Sequence, residues 1–324
     1  MIRYWIQEDG LLKPIEKDEI NSKNRVWIDA RNVTQAEISF LKDEYNLDGE
    51  LLLDVIDPDE LSRLEPSDEG YNLVIMRLPV FTPNSDTAYT TTPIGAFVFP
   101  DKIITICWTN CEVLKDLSAN RIKDLSLSDF PAFLIRILSR SDIMFLRYLK
   151  EISRKVNSIQ NELHDTIEND ELIQLLNMEK SLTYFTTSLK SNQLLLEKIR
   201  RTKILKLDND DQEWLDDVEI DNKQAMEMAG TYTTITTGVM DAFSNILSNN
   251  MNVIMKKLTV ISLVLMIMSF ITSFWGMNIK LPWSSSGTWT GFICLSALCF
   301  ISAIVAYIVM NLSPRKKKKP QPRK

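Results

Sequence analysis

Residues 258–279 read LTVISLVLMIMSFITSFWGMNI, a run without a single charged side chain. Residues 281–314 form a second and longer uncharged run. About 20 apolar residues in an α-helix cross a bilayer, so both runs are long enough. We place two membrane spans at 254–275 and 289–312, joined by a short loop over 276–288. A buried core helix is the alternative interpretation, and the charges that flank both runs count against it.

The charges of the chain divide at Asp241, its last acidic residue. Residues 1–241 carry 27 basic and 43 acidic groups, a net charge of −16, whereas the remainder carries ten basic groups and no acid. The acidic balance of the larger part argues against a nucleic-acid-binding protein. His164 is the single histidine in the sequence, which argues against histidine metal sites and against Ser–His or Cys–His catalysis. No residue pattern supports an enzyme.

The basic residues predict the orientation of the spans. Lys256 and Lys257 precede the first span, seven basic residues lie in the tail 313–324, and the loop contains only Lys280. By the positive-inside rule, both ends of the membrane segment face the cytoplasm and the loop faces outward. The first residues, MIRYWIQED, do not resemble a signal peptide. We therefore expect a multi-pass protein of the cell membrane with cytoplasmic N- and C-termini.

The cytoplasmic part begins with a small domain, which we place at 1–130. A helical stretch at 34–45 lies among strand-like runs and turns, and no glycine-rich phosphate loop or nucleophile elbow occurs. The strand-like runs are 26–29, 73–78, 95–99 and 103–108. The predicted fold class is a membrane protein of the α+β type, with an N-terminal α/β domain that has a sheet core. Cys107 and Cys111 then lie in a reducing compartment, where neither a disulfide nor a zinc site is expected.

Long helices follow this domain. Residues 132–281 contain no proline and only three glycines, a composition that favours helices. We predict helices near 130–168, 170–203 and 211–275. The part from 131 to 253 is then cytoplasmic, and its last helix forms a stalk over 211–253 that continues into the first span.

One face of the first span is polar. Positions three or four residues apart share a helical face, and here they read Asn252, Met255, Thr259, Ser262, Met266, Ser269 and Ser273. The opposite face is aliphatic or aromatic: Val260, Val264, Ile267, Ile271 and Phe274. One interpretation is that several copies of this helix enclose a pore whose wall is the polar face. The other is that the hydroxyl groups join spans together or bond back to their own backbone.

The first span ends in Gly276, Met277 and Asn278. Here the chain resembles the CorA family of magnesium channels, whose signature is Gly-Met-Asn at the outer end of the first of two C-terminal spans. The resemblance covers the whole architecture, although the segment 1–110 matches only in outline. It implies a homopentamer with a funnel-shaped cytoplasmic assembly, and influx of hydrated Mg²⁺ or Co²⁺ gated by intracellular Mg²⁺. Mg²⁺ sheds its waters reluctantly, and a ring of Asn278 carboxamides can accept hydrogen bonds from those waters. Gly276 would let the chain turn at the membrane face.

The resemblance also implies roles for single residues. Asn252 would form a polar ring at the cytoplasmic end of the pore. Met255, Leu258 and Met266 would form an apolar gate that blocks ions by dewetting. Eight acids lie within 208–221, and the family places a regulatory Mg²⁺ between an aspartate of this helix and an acid of the neighbouring subunit. Asp217 occupies the matching position, and Asp86 is our candidate for its partner.

Two features depart from the family pattern, and two other functions compete. Lys280 follows the motif where relatives often carry an acid, and Ile267 takes the place of a usual proline.

A zinc transporter of the same superfamily is the first alternative function, although such relatives usually vary the middle residue of the motif. A membrane-anchored scaffold that conducts nothing is the second. Such a scaffold has no need of the polar face or of Asn278.

Overall fold

The computed structural model describes residues 1–20, 25–162, 169–202, 204–277 and 288–312. The chain divides into two compact units, Met1–Asp241 and Ala242–Lys324. The first unit contains a sheet and most of the helices, and the second contains the apolar segments.

A seven-stranded mixed sheet forms the centre of the first unit. Its order is β2-β1-β3-β7-β6-β5-β4, in which the β3–β7 pair is parallel and every other pair is antiparallel. The strands are β1 Ile2–Glu8, β2 Leu11–Ile15, β3 Val26–Arg31, β4 Arg63–Pro66, β5 Asn72–Phe81, β6 Tyr89–Val98 and β7 Lys102–Cys107. The structure confirms the α/β domain and its sheet core, and it adds β1, β2 and β4 to the predicted strands.

One face of the sheet packs against two short helices, α1 Gln35–Tyr45 and α2 Gly49–Ile56. Helix α1 begins with a capping box, in which the Thr34 hydroxyl accepts a hydrogen bond from the Glu37 amide while Glu37 bonds back to Thr34. Val55 of α2 rests on Gly95 of β6. A Cβ atom added at Gly95 would lie 2.3 Å from a Val55 methyl group, so this contact requires glycine.

The other helices of the domain are α3 Glu112–Ser118, α4 Phe130–Glu162 and α5 Asn169–Arg201. Helix α5 lies against β4, β5 and β6, and α4 lies against β5, α3 and α5. Aromatic rings fill the contact, with Trp27 of β3 5.4 Å from Phe133 and Phe145 5.0 Å from Phe185 between ring centroids. The predicted helices 130–168 and 170–203 correspond to α4 and α5, and residues 163–168 and 203 lie outside the described ranges.

Arg77 connects the sheet to α5 through a buried polar network. Its guanidinium donates to the hydroxyl oxygens of Ser188 (2.9 Å) and Thr91 (3.0 Å) and to the carbonyl of Pro58 (2.9 Å). Its backbone N–H donates to Asn192 Oδ1 at 3.0 Å. Burial lowers the pKa of this guanidinium, and neutral acceptors stabilise its charge in place of a direct carboxylate contact.

Helix α6, Asn209–Trp275, is 67 residues long, or about 100 Å at the usual rise per residue. Its buried side chains follow one another at intervals of three, four or seven positions: Asp211, Leu215, Val218, Asn222, Ala225, Ala229, Thr236, Val239 and Phe243. This line is the seam of α6. Asn222 Nδ2 donates at 3.1 Å both to the Leu189 carbonyl and to Gln193 Oε1 of α5. The predicted long helix is confirmed, and it begins at Asn209 rather than near position 211.

The second unit contains the apolar end of α6 and helix α7, Thr288–Leu312. Within the described residues, α6 is the helix whose length and composition suffice to cross a membrane. The apolar part identified in α7 is shorter and covers Ser296–Val305.

Candidate ion pathway and regulatory site

The seven side chains of the polar face are all exposed in the single chain. Met255, Leu258 and Met266, the predicted gate residues, are 52%, 55% and 67% exposed. The Thr259 hydroxyl donates to its own helix, at the Met255 carbonyl, over 2.8 Å. The hydroxyls of Ser262, Ser269 and Ser273 make no hydrogen bond within the described part of the chain. Three of these hydroxyl groups are therefore available to a partner or to water.

The side of α6 that faces α7 is a different one. Val260, Val264, Met268 and Ile271 are the half-buried residues of this stretch, whereas Ile267 is exposed. A cavity of about 390 Å³ lies between the two helices and is lined by Met268, Thr272, Ser296, Cys299, Phe300 and Ala303. Because α7 covers this side, the polar face does not join α6 to α7 of the same chain.

The Gly-Met-Asn motif begins immediately after the end of α6. The Gly276 N–H donates to the carbonyls of Thr272 and Ser273, at 3.0 and 3.2 Å, which continues the helical pattern by one position. A Cβ atom there would meet only ordinary contacts, the nearest at 3.5 Å, and Gly276 does not adopt a positive φ. The described backbone thus gives no steric reason for glycine. Met277 is 52% exposed, and Asn278 lies outside the described residues.

Six of the eight acids at the start of α6 separate into three groups of two, of which the first caps helices. Asp208 and Asp211 bond to each other's backbone N–H at 2.8 and 3.2 Å, and Asp129 Oδ1 accepts from Ala132 N–H of α4. Carboxylate oxygens of these three residues lie within 4.8 Å of one another. Burial, followed by the charges of Asp129 and Asp208, raises the pKa of Asp211. Helix capping accounts for this arrangement.

The second group of acids, Asp216 and Glu219, forms ion pairs with α5. Arg200 of α5 contacts the carboxylates of Asp216 and Glu219, the latter at 2.9 Å. The single positive charge of Arg200 offsets part of the negative charge of these two acids and links α6 to α5.

The third group contains Asp217, the predicted regulatory residue. Asp217 is exposed, and its charge raises the pKa of Asp221 one turn later, after the larger effect of burial. The charge of Asp221 in turn acts on Asp142 of α4, which is only 2% exposed. Burial and then the charge of Asp221 raise the pKa of Asp142 well above its usual range. Within the described chain, no basic group or hydrogen-bond donor contacts the Asp142 carboxylate.

The sequence analysis did not identify Asp142. Its signal was available, because Asp142 lies on the buried side of α4 with Leu138, Phe145 and Leu149, where a carboxylate is out of place. An aspartate in the apolar stripe of an amphipathic helix needs a cation, a proton or a donor to stabilise it.

Asp86, the proposed partner of Asp217, lies in the turn between β5 and β6. It is exposed and borders a cavity of about 400 Å³ that Lys155 and Asn177 also line. Within the described residues of one chain, the structure shows no contact between Asp86 and Asp217. The pairing was predicted between two copies of the chain, and it stays a prediction.

Known proteins resemble the chain over nearly its full length. The sequence profile of the CorA-like Mg²⁺ transporter family matches residues 22–318. The cobalt/magnesium transport protein CorA of Methanocaldococcus jannaschii is 28% identical over 321 residues, which cover 94% of this chain and 96% of the relative.

Two solved structures share the fold. The complete CorA magnesium transporter of the same organism matches with a TM-score of 0.76 at 22% identity, over 97% of this chain and 98% of that one. The ZntB cytoplasmic domain from Vibrio parahaemolyticus matches with a TM-score of 0.57 at 12% identity, over 77% and 97%. At these identities the structural likeness shows the fold alone. The family profile, in contrast, spans most of the chain, and this protein therefore belongs to the CorA family of magnesium transporters.

Proposed function

We propose that the chain forms a homopentamer that conducts hydrated Mg²⁺, and also Co²⁺, into the cell along the polar face of α6. The observation that carries the proposal is the exposure of that face on a helix long enough to cross a membrane. In the single chain these side chains are uncovered, and α7 lies on a different side of α6. Five copies around an axis would turn this uncovered face into the wall of a pore.

The residues of the face suit an ion that keeps its water. Hydroxyl groups at Ser262, Ser269 and Ser273 can exchange hydrogen bonds with a hydrated cation without replacing its inner ligands. The exposed thioethers of Met255 and Met266, with Leu258, form the apolar stretch at which the pore closes by losing water. The five Asn278 side chains form a ring that selects the ion at the outer end of the pore. The five Asn252 side chains form a second polar ring at the cytoplasmic end.

The acids Asp142, Asp217 and Asp221 supply one subunit's part of the regulatory site. Burial, and after it repulsion from a neighbouring acid, raises the pKa of both Asp142 and Asp221. A divalent cation would relieve that repulsion. Asp86 of the neighbouring subunit is the proposed second part. Bound Mg²⁺ would hold the subunits together and keep the pore closed, and its loss would release them.

The same proposal covers the arrangement in the membrane. The α/β domain at 1–130 and the helices at 131–253 are cytoplasmic. The membrane spans are 254–275 and 289–312, and both ends of the chain face the cytoplasm.

The two alternative functions, zinc transport and a non-conducting scaffold, have weaker support. The likeness to ZntB reaches only 12% identity, and one histidine is available for a zinc site.

Liposome flux measurements test the proposal. The full-length chain is reconstituted, and uptake of Mg²⁺, Co²⁺ and Zn²⁺ is followed at several internal Mg²⁺ concentrations. We expect Mg²⁺ uptake that internal Mg²⁺ inhibits, and its loss in Asn278→Ala. Asp217→Ala should conduct while responding at least tenfold less sensitively to internal Mg²⁺, and Asp241→Ala, an exposed acid on the same helix, should behave as wild type.

Each alternative has its own outcome in this assay. No Mg²⁺ flux at any internal Mg²⁺ level would favour the scaffold, and preferred Zn²⁺ flux with a proton dependence would favour the zinc transporter. Unchanged Mg²⁺ inhibition in Asp217→Ala would remove that residue from the regulatory site without affecting the conduction proposal.

A further inference from the structure

Residues 230–238 of α6 read GTYTTITTG, and seven of the nine are glycine or threonine. Both residue types lower helix stability, glycine because its unfolded backbone is so free and threonine because the helix restricts its branched side chain. We refer to this stretch as the Gly/Thr segment. It lies inside the 67-residue helix, far from either end.

The threonine hydroxyls of the Gly/Thr segment bond to their own helix. Each of four donates to a carbonyl one turn earlier: Thr231 to Glu227 at 2.9 Å, Thr233 to Ala229 at 2.9 Å, Thr234 to Gly230 at 3.1 Å and Thr236 to Tyr232 at 2.8 Å. These carbonyls are the acceptors that the helical backbone itself uses. Such bonds weaken the ladder slightly and bend helices, and here four of them fall within two turns.

The two glycines have no steric reason to be glycine within the chain. A Cβ atom added at Gly230 or at Gly238 would meet no atom within 4 Å, and neither residue has a positive φ. Alanine would fit both positions and would favour the helix more. The glycines therefore reduce helix stability without improving packing in the described chain.

The buried side chains of α6 are also small or polar over this stretch. The seam of α6 consists of small or polar side chains at Ala225, Ala229 and Thr236, between the larger Leu215 and Val218 on one side and Phe243 on the other. Small side chains bury little apolar area. An exposed hydrogen bond from Thr237 to Glu179 Oε1, at 3.2 Å, is the polar contact with α5 in this stretch.

We propose that the Gly/Thr segment is a hinge at which α6 bends. Before it, Asn222 and the Arg200 ion pairs fasten α6 to α5; within it, helix propensity and seam packing are both low. Segments with few buried contacts and weak local hydrogen bonds open at the lowest free energy. The hinge is a property of the helix, whereas its use in opening a pore rests on the proposed function.

Hydrogen exchange measured by mass spectrometry tests the hinge directly. The full-length chain is measured in lipid nanodiscs with EDTA and compared with the double variant Gly230→Ala/Gly238→Ala. The control is the double variant Ser244→Ala/Ser248→Ala, which introduces two alanines elsewhere on the exposed side of α6. In the wild type we expect amides 230–238 to exchange at least ten times faster than amides 213–225. The glycine variant should slow them by about tenfold, and the serine control should not.

Two results would overturn the hinge. One is exchange at 230–238 as slow as at 213–225 in the wild type. The other is loss of the oligomer in the glycine variant, measured by light scattering, which would show that the glycines serve contacts between copies. Liposome flux of the same variants separates the hinge from the proposed function. If the wild type showed no flux, the transport proposal would be contradicted. The hydrogen-exchange data would still test the hinge, because they do not depend on transport.

Discussion

At the scale of single residues, Asp142 is a carboxylate whose buried environment costs the fold free energy. Its carboxylate is buried on α4, the charge of Asp221 acts on it, and no described cation or donor contacts it. In the unfolded chain the same group has an ordinary pKa of about 4. Between that value and the raised pKa of the folded state, the folded chain holds the extra proton, so stability falls as pH rises.

We therefore predict that Asp142→Asn stabilises the protein in a pH-dependent way. At pH 7.5 and without Mg²⁺, the amide should raise the free energy of unfolding by about 2 kcal/mol, because it requires neither a buried charge nor the uptake of a proton on folding. At pH 4.5 the gain should be much smaller. Urea unfolding of the full-length chain in detergent with EDTA measures both values, and Asp210→Asn, an exposed acid, is the control. An equal gain at the two pH values would contradict the assigned cause.

The sequence predicted a regulatory role for Asp217 through the family resemblance, whereas it offered only the apolar stripe of α4 as a signal for Asp142. Asp217 was proposed because it occupies the position in this acidic helix that matches the family's regulatory aspartate. The importance of Asp142 depends on which residues of α6 lie opposite it, and a contact between α4 and α6 cannot be derived from the periodicity of either helix. Likewise, the division of six of the eight acids in 208–221 into capping, ion-paired and unpaired groups needed the positions of Asp129 and Arg200.

At the scale of elements, the seam between α5 and α6 contains a buried amide. Asn222 donates two hydrogen bonds to α5, but its Oδ1 is buried without a partner in the described chain. A buried acceptor that lacks a partner costs free energy, whereas a buried asparagine can fix the register of two helices.

Replacing this amide should separate the two effects. We expect Asn222→Leu to raise the free energy of unfolding by about 1 kcal/mol, because it removes the unpaired acceptor and adds apolar area. Asn222→Ala should lower it by a similar amount, because it leaves a cavity. Denaturant unfolding of the full-length variants with EDTA gives both values. If Asn222→Leu lowered the free energy of unfolding below that of the wild type, the two hydrogen bonds to α5 would outweigh the unpaired oxygen.

The elements differ in how well the sequence predicted them. The long stretch without proline predicted α4, α5 and α6 because helix formation depends mainly on local composition. Strands β2 and β4 were not predicted; they are short, lie at the edges of the sheet, and contain Pro14 and Pro66. Proline is tolerated at an edge, where a backbone donor is not required, and that position is a property of the assembled sheet.

At the scale of the whole molecule, charge is distributed so that the acids end at Asp241 and the apolar runs follow. The predicted topology can be examined with a charged maleimide that does not cross membranes. In intact cells, Lys280→Cys should be labelled from outside, whereas Lys324→Cys should be labelled only after permeabilisation. The wild-type chain is the control. Labelling of the Lys324→Cys variant in intact cells would contradict the orientation.

The two cysteines of the N-terminal unit have a consequence for cellular chemistry. Cys107 at the end of β7 and Cys111 before α3 are fully buried, and burial raises their pKa values to about 12 and about 11. The thiolate is the form that reacts with oxidants and electrophiles, and at neutral pH these groups remain protonated. We infer that the α/β domain is insensitive to the redox state of its surroundings. Oxidative stress should therefore leave the packing of this domain unchanged, although two thiols lie close together in the sequence of its core.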